Sequence, residues 1–152
     1  MVGGGWWITP VARPSPLPDG LPPPSLELLE AVSLRGGRGR RLRLRLSGPP
    51  QMNLILPGNL SAWSFATVVP APRADCDCHF IFLATGTPAA TWNFEITLPA
   101  AGPPDDAPAV VELVFYGHYL EMRTPLLEEA EAALPPWVTP ISWVSVLGST
   151  RV

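Results

Sequence analysis

Lysine is absent from this 152-residue chain, and all ten basic residues are arginine. Charge of either sign is scarce: 15% of residues are charged, against the usual quarter. The arginine-for-lysine exchange, with the excess of Ala, Gly and Pro, reads as codon bias rather than mechanism. No run of about 18 or more apolar residues occurs, so no transmembrane segment is expected in this chain. A secretory signal is missing as well. MVGGGWW begins without a basic n-region, and Pro10, Pro14, Pro16 and Pro18 stand where an apolar h-region would be. If the domain works in a lumen, something outside this sequence must deliver it there. Two cysteines, Cys76 and Cys78, are too few for a disulfide framework and do not fix the redox compartment. No G-x-S-x-G, H-E-x-x-H or P-loop pattern is present.

Apolar residues make up 47% of the chain, enough to build a core, and the length fits one domain. Proline is abundant, at 21 residues. Residues 1–24 are rich in Pro and Gly and read as a linker or disordered segment, with Trp6, Trp7 and Ile8 as an apolar island. Residues 25–152 carry the folded domain. The net charge of −3 hides an asymmetry: six of the ten arginines fall between Arg35 and Arg45, so the remaining four face thirteen acidic residues elsewhere.

The clearest local pattern is the alternation of Arg41, Arg43 and Arg45 with Leu42, Leu44 and Leu46. It predicts a strand with one wet and one buried face. Before it, a strand through Leu26, Leu28 and Val32 competes with a helix capped at Ser25. After it, Met52, Leu54 and Leu56 continue an antiparallel partner that ends at Pro57-Gly58-Asn59. Trp63 and Phe65 alternate next. The stretch from His79 to Leu83 is apolar on both sides. Trp92, Phe94, Ile96 and Leu98 keep period two, and Val110 to Leu120 reads as a long strand.

A helix follows, with Thr124 as N-cap and Pro125 at its first position. Leu126, Ala130 and Leu134 share one face, expected to pack on the sheets with Trp137 as anchor. Pro135 and Pro136 stop it. The β-prone segment Trp137 to Val146 then gives the last strand. The expected fold is mainly β: an antiparallel β-sandwich of about seven strands with one short C-terminal helix.

Candidate chemistry is sparse. Asn59-Leu60-Ser61 is an N-glycosylation acceptor triplet in a turn, usable only in a secretory lumen. Cys76-Asp77-Cys78-His79 could supply soft metal ligands, but a structural zinc site wants four, and His118 is the one other histidine. Free thiols are the first reading of Cys76 and Cys78, with a disulfide between them as the second. His118 and Glu121, three apart on a strand, point to opposite faces. Asp105 and Asp106 read as a solvated loop. The arginine strand could grip phosphates, yet RNA-binding sheets interleave cations with aromatics, and here the alternate residues are leucines. No nucleic-acid partner is expected.

Three ordered clusters carry a resemblance: SGPPQMNLILPGN with AWSF (Ser47 to Phe65), HFIFLATGTPAATWNFEITL (His79 to Leu98), and GHYL, RTPLL and LPPWVTPISW (Gly117 to Trp143). Together they resemble the C-terminal luminal domain of the endoplasmic reticulum metallopeptidase family, over about residues 25–152. These are membrane-bound zinc peptidases with a peptidase domain, a multi-span membrane region and a C-terminal β-domain. The resemblance implies a non-catalytic luminal accessory domain of such an enzyme, read from a fragment or domain-only product. The zinc and its ligands would belong to the peptidase domain, so no catalytic, cofactor-binding or metal-binding residue is expected here. The implied partners are the parent's peptidase and membrane domains, on the lumenal side of the endoplasmic reticulum membrane. The competing reading is a free-standing module that binds glycan or peptide through exposed tryptophans. A third, a small enzyme, would need a hollow holding His79, His118 and a carboxylate.

Overall fold

The computed structural model describes residues 23–34, 39–87, 90–100, 110–120, 122–139 and 143–152. The Trp6-Trp7-Ile8 island, Glu121 and the Asp105-Asp106 pair lie outside the described residues. Eight strands and one helix occur among those described. In chain order they are β1 (Ser25–Ser33), β2 (Gly39–Gly48), β3 (Gln51–Pro57), β4 (Ala62–Trp63), β5 (Cys78–Ala84), β6 (Ala90–Pro99), β7 (Glu112–Tyr119), α1 (Pro125–Ala132) and β8 (Val144–Arg151). They form two four-stranded antiparallel sheets, β1-β2-β6-β4 and β5-β3-β7-β8.

The period-two pattern decides which face each sheet turns inward. Leu42, Leu44 and Leu46 from β2 are completely buried, as are Met52 and Leu54 from β3. Phe94, Ile96 and Leu98 from β6 and Leu113 and Phe115 from β7 join them in one apolar cluster. Side chains from both sheets thus share a single core, which is a sandwich. Each such leucine contributes about 1.5–3 kcal/mol by leaving water. The segment from Ser25 is strand rather than helix. Its pairing with β2 slips by one residue between Leu28 and Glu30, a bulge that twists this edge.

The outer face of the β1-β2-β6-β4 sheet is wet and self-neutralising. Glu27 pairs with Arg45, at 3.4 Å between charged atoms. In the next row Arg43 stands between Glu30 and Glu95. The arginines expected to face water do so, but acidic neighbours interrupt them, so they form no continuous cationic stripe.

The last third departs from expectation in two ways. Thr124 does cap α1, its Oγ1 accepting from the Leu127 N–H at 3.3 Å, and Pro125 opens the helix. Yet α1 buries no residue fully, Ala130 is exposed, and Trp137 is 83% exposed. Trp137 is therefore no anchor. Leu126 and Leu127 are half-buried, while Arg123 pairs with Glu131 along the helix. The final strand begins at Val144, later than the aromatic run suggested. Proline interrupts the earlier part, where a turn bonds Val138 N–H to Pro135 C=O at 2.9 Å.

Candidate interaction face

The outer face of the β5-β3-β7-β8 sheet differs sharply from its counterpart. Three registers run across it. Phe80, Ile55 and Val114 lie in one row with Ser149; Phe82, Asn53, Tyr116 and Leu147 in the next; Ala84, Gln51, His118 and Ser145 in the third. Side chains at alternate positions of a strand share a face, so all of these project away from the core. Phe80, Phe82 and Leu147 are exposed, at 49%, 57% and 61%. Ile55, Val114 and Tyr116 are half-buried between them. No carboxylate or guanidinium stands in these three rows.

Strand spacing and rise make this array about 14 Å on a side between backbone positions, or about 200 Å² before side chains are added. A standard protein–protein interface buries about 800 Å² per partner, so the array is the size of an interface centre rather than of a whole interface. Its exposed apolar members are Phe80, Phe82 and Leu147, with Asn53, Gln51, His118, Ser145 and Ser149 between and beside them.

A short polar series links its second and third rows. Asn53 Nδ2 lies 2.7 Å from His118 Nε2, and His118 Nδ1 lies 2.8 Å from Ser145 Oγ. With the Asn53 amide donating to Nε2, the ring proton sits on Nδ1 and is donated to Ser145. The Trp143 ring meets His118 edge-on at 5.9 Å between centroids. Burial holds the His118 pKa below the ordinary histidine value, so the ring is neutral near pH 7. Asn53 Oδ1 is buried without a hydrogen-bond partner. The order Ser–His–Asn echoes a nucleophile, a base and an orienting group. These three side chains include no carboxylate, however, and Ser145 sits on an open face.

His79 is on the other side of the same sheet. It is 4% exposed, bonded through Nε2 to the Gly58 carbonyl at 3.3 Å and stacked edge-on against Trp63. A sheet separates the two histidines, so no site can use both. The shallow hollow lined by Glu30, Val32, Arg41, Arg43 and Glu95 lies on the opposite, charged sheet.

The comparisons with known proteins point one way. The family described as endoplasmic reticulum metallopeptidase 1, C-terminal domain, matches residues 1–149. The chain belongs to that family. The match begins at residue 1 and so includes the Pro/Gly-rich N-terminal segment. Neither the curated proteins nor the solved structures yield a match.

Seen as a metallopeptidase C-terminal domain, the chain brings together no zinc donor set among the described residues. Cys76 and Cys78 are bonded to each other through their sulfurs and offer no thiolate. The two histidines face opposite ways. Among the described residues no three His, Cys, Asp or Glu side chains converge. No described helix is long and apolar enough to cross a membrane. Asn59 is exposed in the turn after β3, and the Ser61 hydroxyl donates to the Thr97 carbonyl at 3.2 Å. Of the tryptophans, Trp63 and Trp92 pack against the core, while Trp137 and Trp143 are exposed. Sequence reading did not assemble the aromatic face. Its signal was the stretch His79–Leu83, apolar on both sides, where a strand with one wet face would alternate.

Proposed function

We propose that this chain is a non-catalytic, luminal accessory domain of a membrane-bound zinc metallopeptidase, docking on the rest of its parent through the outer face of the β5-β3-β7-β8 sheet. The observation that carries this reading is the exposure of Phe80, Phe82 and Leu147 on that face, against a charged, self-neutralised face on the other sheet. A domain with one wet and one apolar flank is made to be covered on one side. Membership of a metallopeptidase C-terminal domain family supports taking the peptidase and membrane portions of the parent as the occupant. In this reading zinc and catalysis belong to the peptidase domain, and the accessory domain acts by covering or steadying it.

The test is assembly. The parent enzyme without this domain is mixed with the domain and the bound fraction measured. Phe82→Asp and Leu147→Asp should each lower affinity at least tenfold while leaving the fold intact, because both side chains are already in water. Arg43→Asp, on the other face, should not. Equal binding by all variants would remove this face from the interface.

The exposed rings of Trp137 and Trp143 favour a second reading, a free-standing module binding glycan or peptide. Tryptophan fluorescence shifts with a glycan or peptide library, abolished by Trp137→Ala, would select it.

A further inference from the structure

Cys76 and Cys78 are linked across a single intervening residue, with their Cα atoms 5.1 Å apart. A cross-link stabilises a fold chiefly by restricting the unfolded chain, and the effect grows with the loop enclosed. Here the enclosed loop is one residue, so the restriction is slight. The surrounding turn is already closed without it. The Arg73 N–H donates to the Cys78 carbonyl at 2.8 Å, and the Arg73 guanidinium holds Asp75 through two hydrogen bonds of 3.0 and 2.7 Å. Asp77, between the cysteines, takes a left-handed conformation at φ 47°, which aspartate tolerates, and its carbonyl accepts from the Gly58 N–H at 2.7 Å. Neither sulfur belongs to the apolar core. Cys76 is exposed and Cys78 half-buried. This bond is redundant as a staple and open to solvent, the circumstances in which disulfides are labile.

We infer that Cys76–Cys78 is a thiol–disulfide exchange site whose substrate is a dithiol. A thiolate of the dithiol attacks the exposed Cys76 sulfur. The Cys76–Cys78 bond breaks and Cys78 leaves as a thiolate, giving a mixed disulfide on Cys76. The dithiol's second thiolate then attacks its own sulfur in that bond and releases Cys76. Two electrons pass to the cysteine pair, which takes up the two protons lost by the dithiol, and the dithiol ends as a disulfide. The reverse sequence delivers a disulfide to a reduced partner. The sandwich stands throughout, because no core contact changes.

The folded protein is equilibrated with dithiothreitol at graded ratios of its reduced and oxidised forms, quenched with a maleimide, and weighed by mass spectrometry. Two labels per chain should appear while the circular dichroism stays native. Cys76→Ser/Cys78→Ser should melt within a few degrees of the parent. In single variants challenged with oxidised glutathione, Cys76 in Cys78→Ser should form the mixed disulfide several-fold faster than Cys78 in Cys76→Ser. Labelling only where the domain unfolds would overturn the inference. So would a double variant that melts far below the parent, two free thiols in the air-equilibrated protein, or faster reaction at Cys78.

Discussion

Phe115 and Gly148 face each other across the β7–β8 ladder, and the Phe115 ring fills the space that a β-carbon at 148 would need. Glycine in a strand interior is a cost, and the ring's burial offsets it. Phe115 is 4% exposed, so it has little room to withdraw. Gly148→Ala should therefore cost about 1–3 kcal/mol, the usual range for overpacking. Combined with Phe115→Leu, the loss should fall short of the sum of the single changes. Denaturant titration of the four proteins measures this, and strict additivity would mean the ring is not the obstacle.

The alternation in β2 sets a second expectation. Leu44 is completely buried and Arg43 projects into water between two glutamates. Leu44→Ala should destabilise by about 2–5 kcal/mol, and Arg43→Ala should stay within about 0.5 kcal/mol. Equal sensitivity in urea would contradict the observed register.

His118 makes stability depend on pH. Its folded pKa is lowered by burial, so between the folded and unfolded values the unfolded chain binds more protons. The neutral ring's contribution is complete above the unfolded value of about 6.5 and is lost as pH falls below it, levelling off once the folded pKa is passed. Relative to His118→Gln, the parent should lose stability on acidification across that window. Melting curves from pH 8 to pH 4.5 provide the check; parallel curves for the two proteins would exclude His118 as the source.

Asn59 should carry a glycan when the domain is made in a secretory lumen, since it is exposed on a turn. Asn59→Gln and Ser61→Ala should both migrate faster on a gel than the parent. Ser61→Ala also removes the bond to Thr97, so Asn59→Gln serves as the cleaner control. Glycosidase treatment that leaves the parent's mobility unchanged would show the acceptor is unused.

Strand placement was readable wherever a buried leucine alternated with a charge, because one substitution of period would turn every side chain the wrong way. Leu42 to Leu46 and Phe94 to Leu98 are such cases. The helix was readable from Thr124 and Pro125, whose local geometry needs no tertiary partner. Its packing was not. Leu126, Ala130 and Leu134 describe a face, but whether any surface meets that face depends on how the β7–β8 connection runs, and there Trp137 points into water. β8 was displaced for a related reason. Gly148 and Ser149 have little strand propensity, and it is their pairing with Phe115 and Val114 of β7 that carries the strand through them. The aromatic face was hidden because its members come from four strands whose sheet order, β5-β3-β7-β8, does not follow the sequence.

The two sheets are joined beside the first and last strands. Pro24, which leads into β1, is buried beside Gly48 and Gly117, where added β-carbons would stand 3.2 Å from its ring. Val152 is at the opposite end, bonded to Val111 and to the Arg40 guanidinium. Strands β1 and β8 run the same way along neighbouring edges, and Thr150 Oγ1 donates to the Leu26 carbonyl at 3.5 Å. A stretching force applied between residues 24 and 152 would pull along the strand axes. The β1–β2 and β7–β8 ladders would be loaded in shear, so that many hydrogen bonds bear the force together instead of parting one by one. Force along the line from residue 24 to residue 152 would thus meet more resistance than force that peels β1 sideways from the sheet.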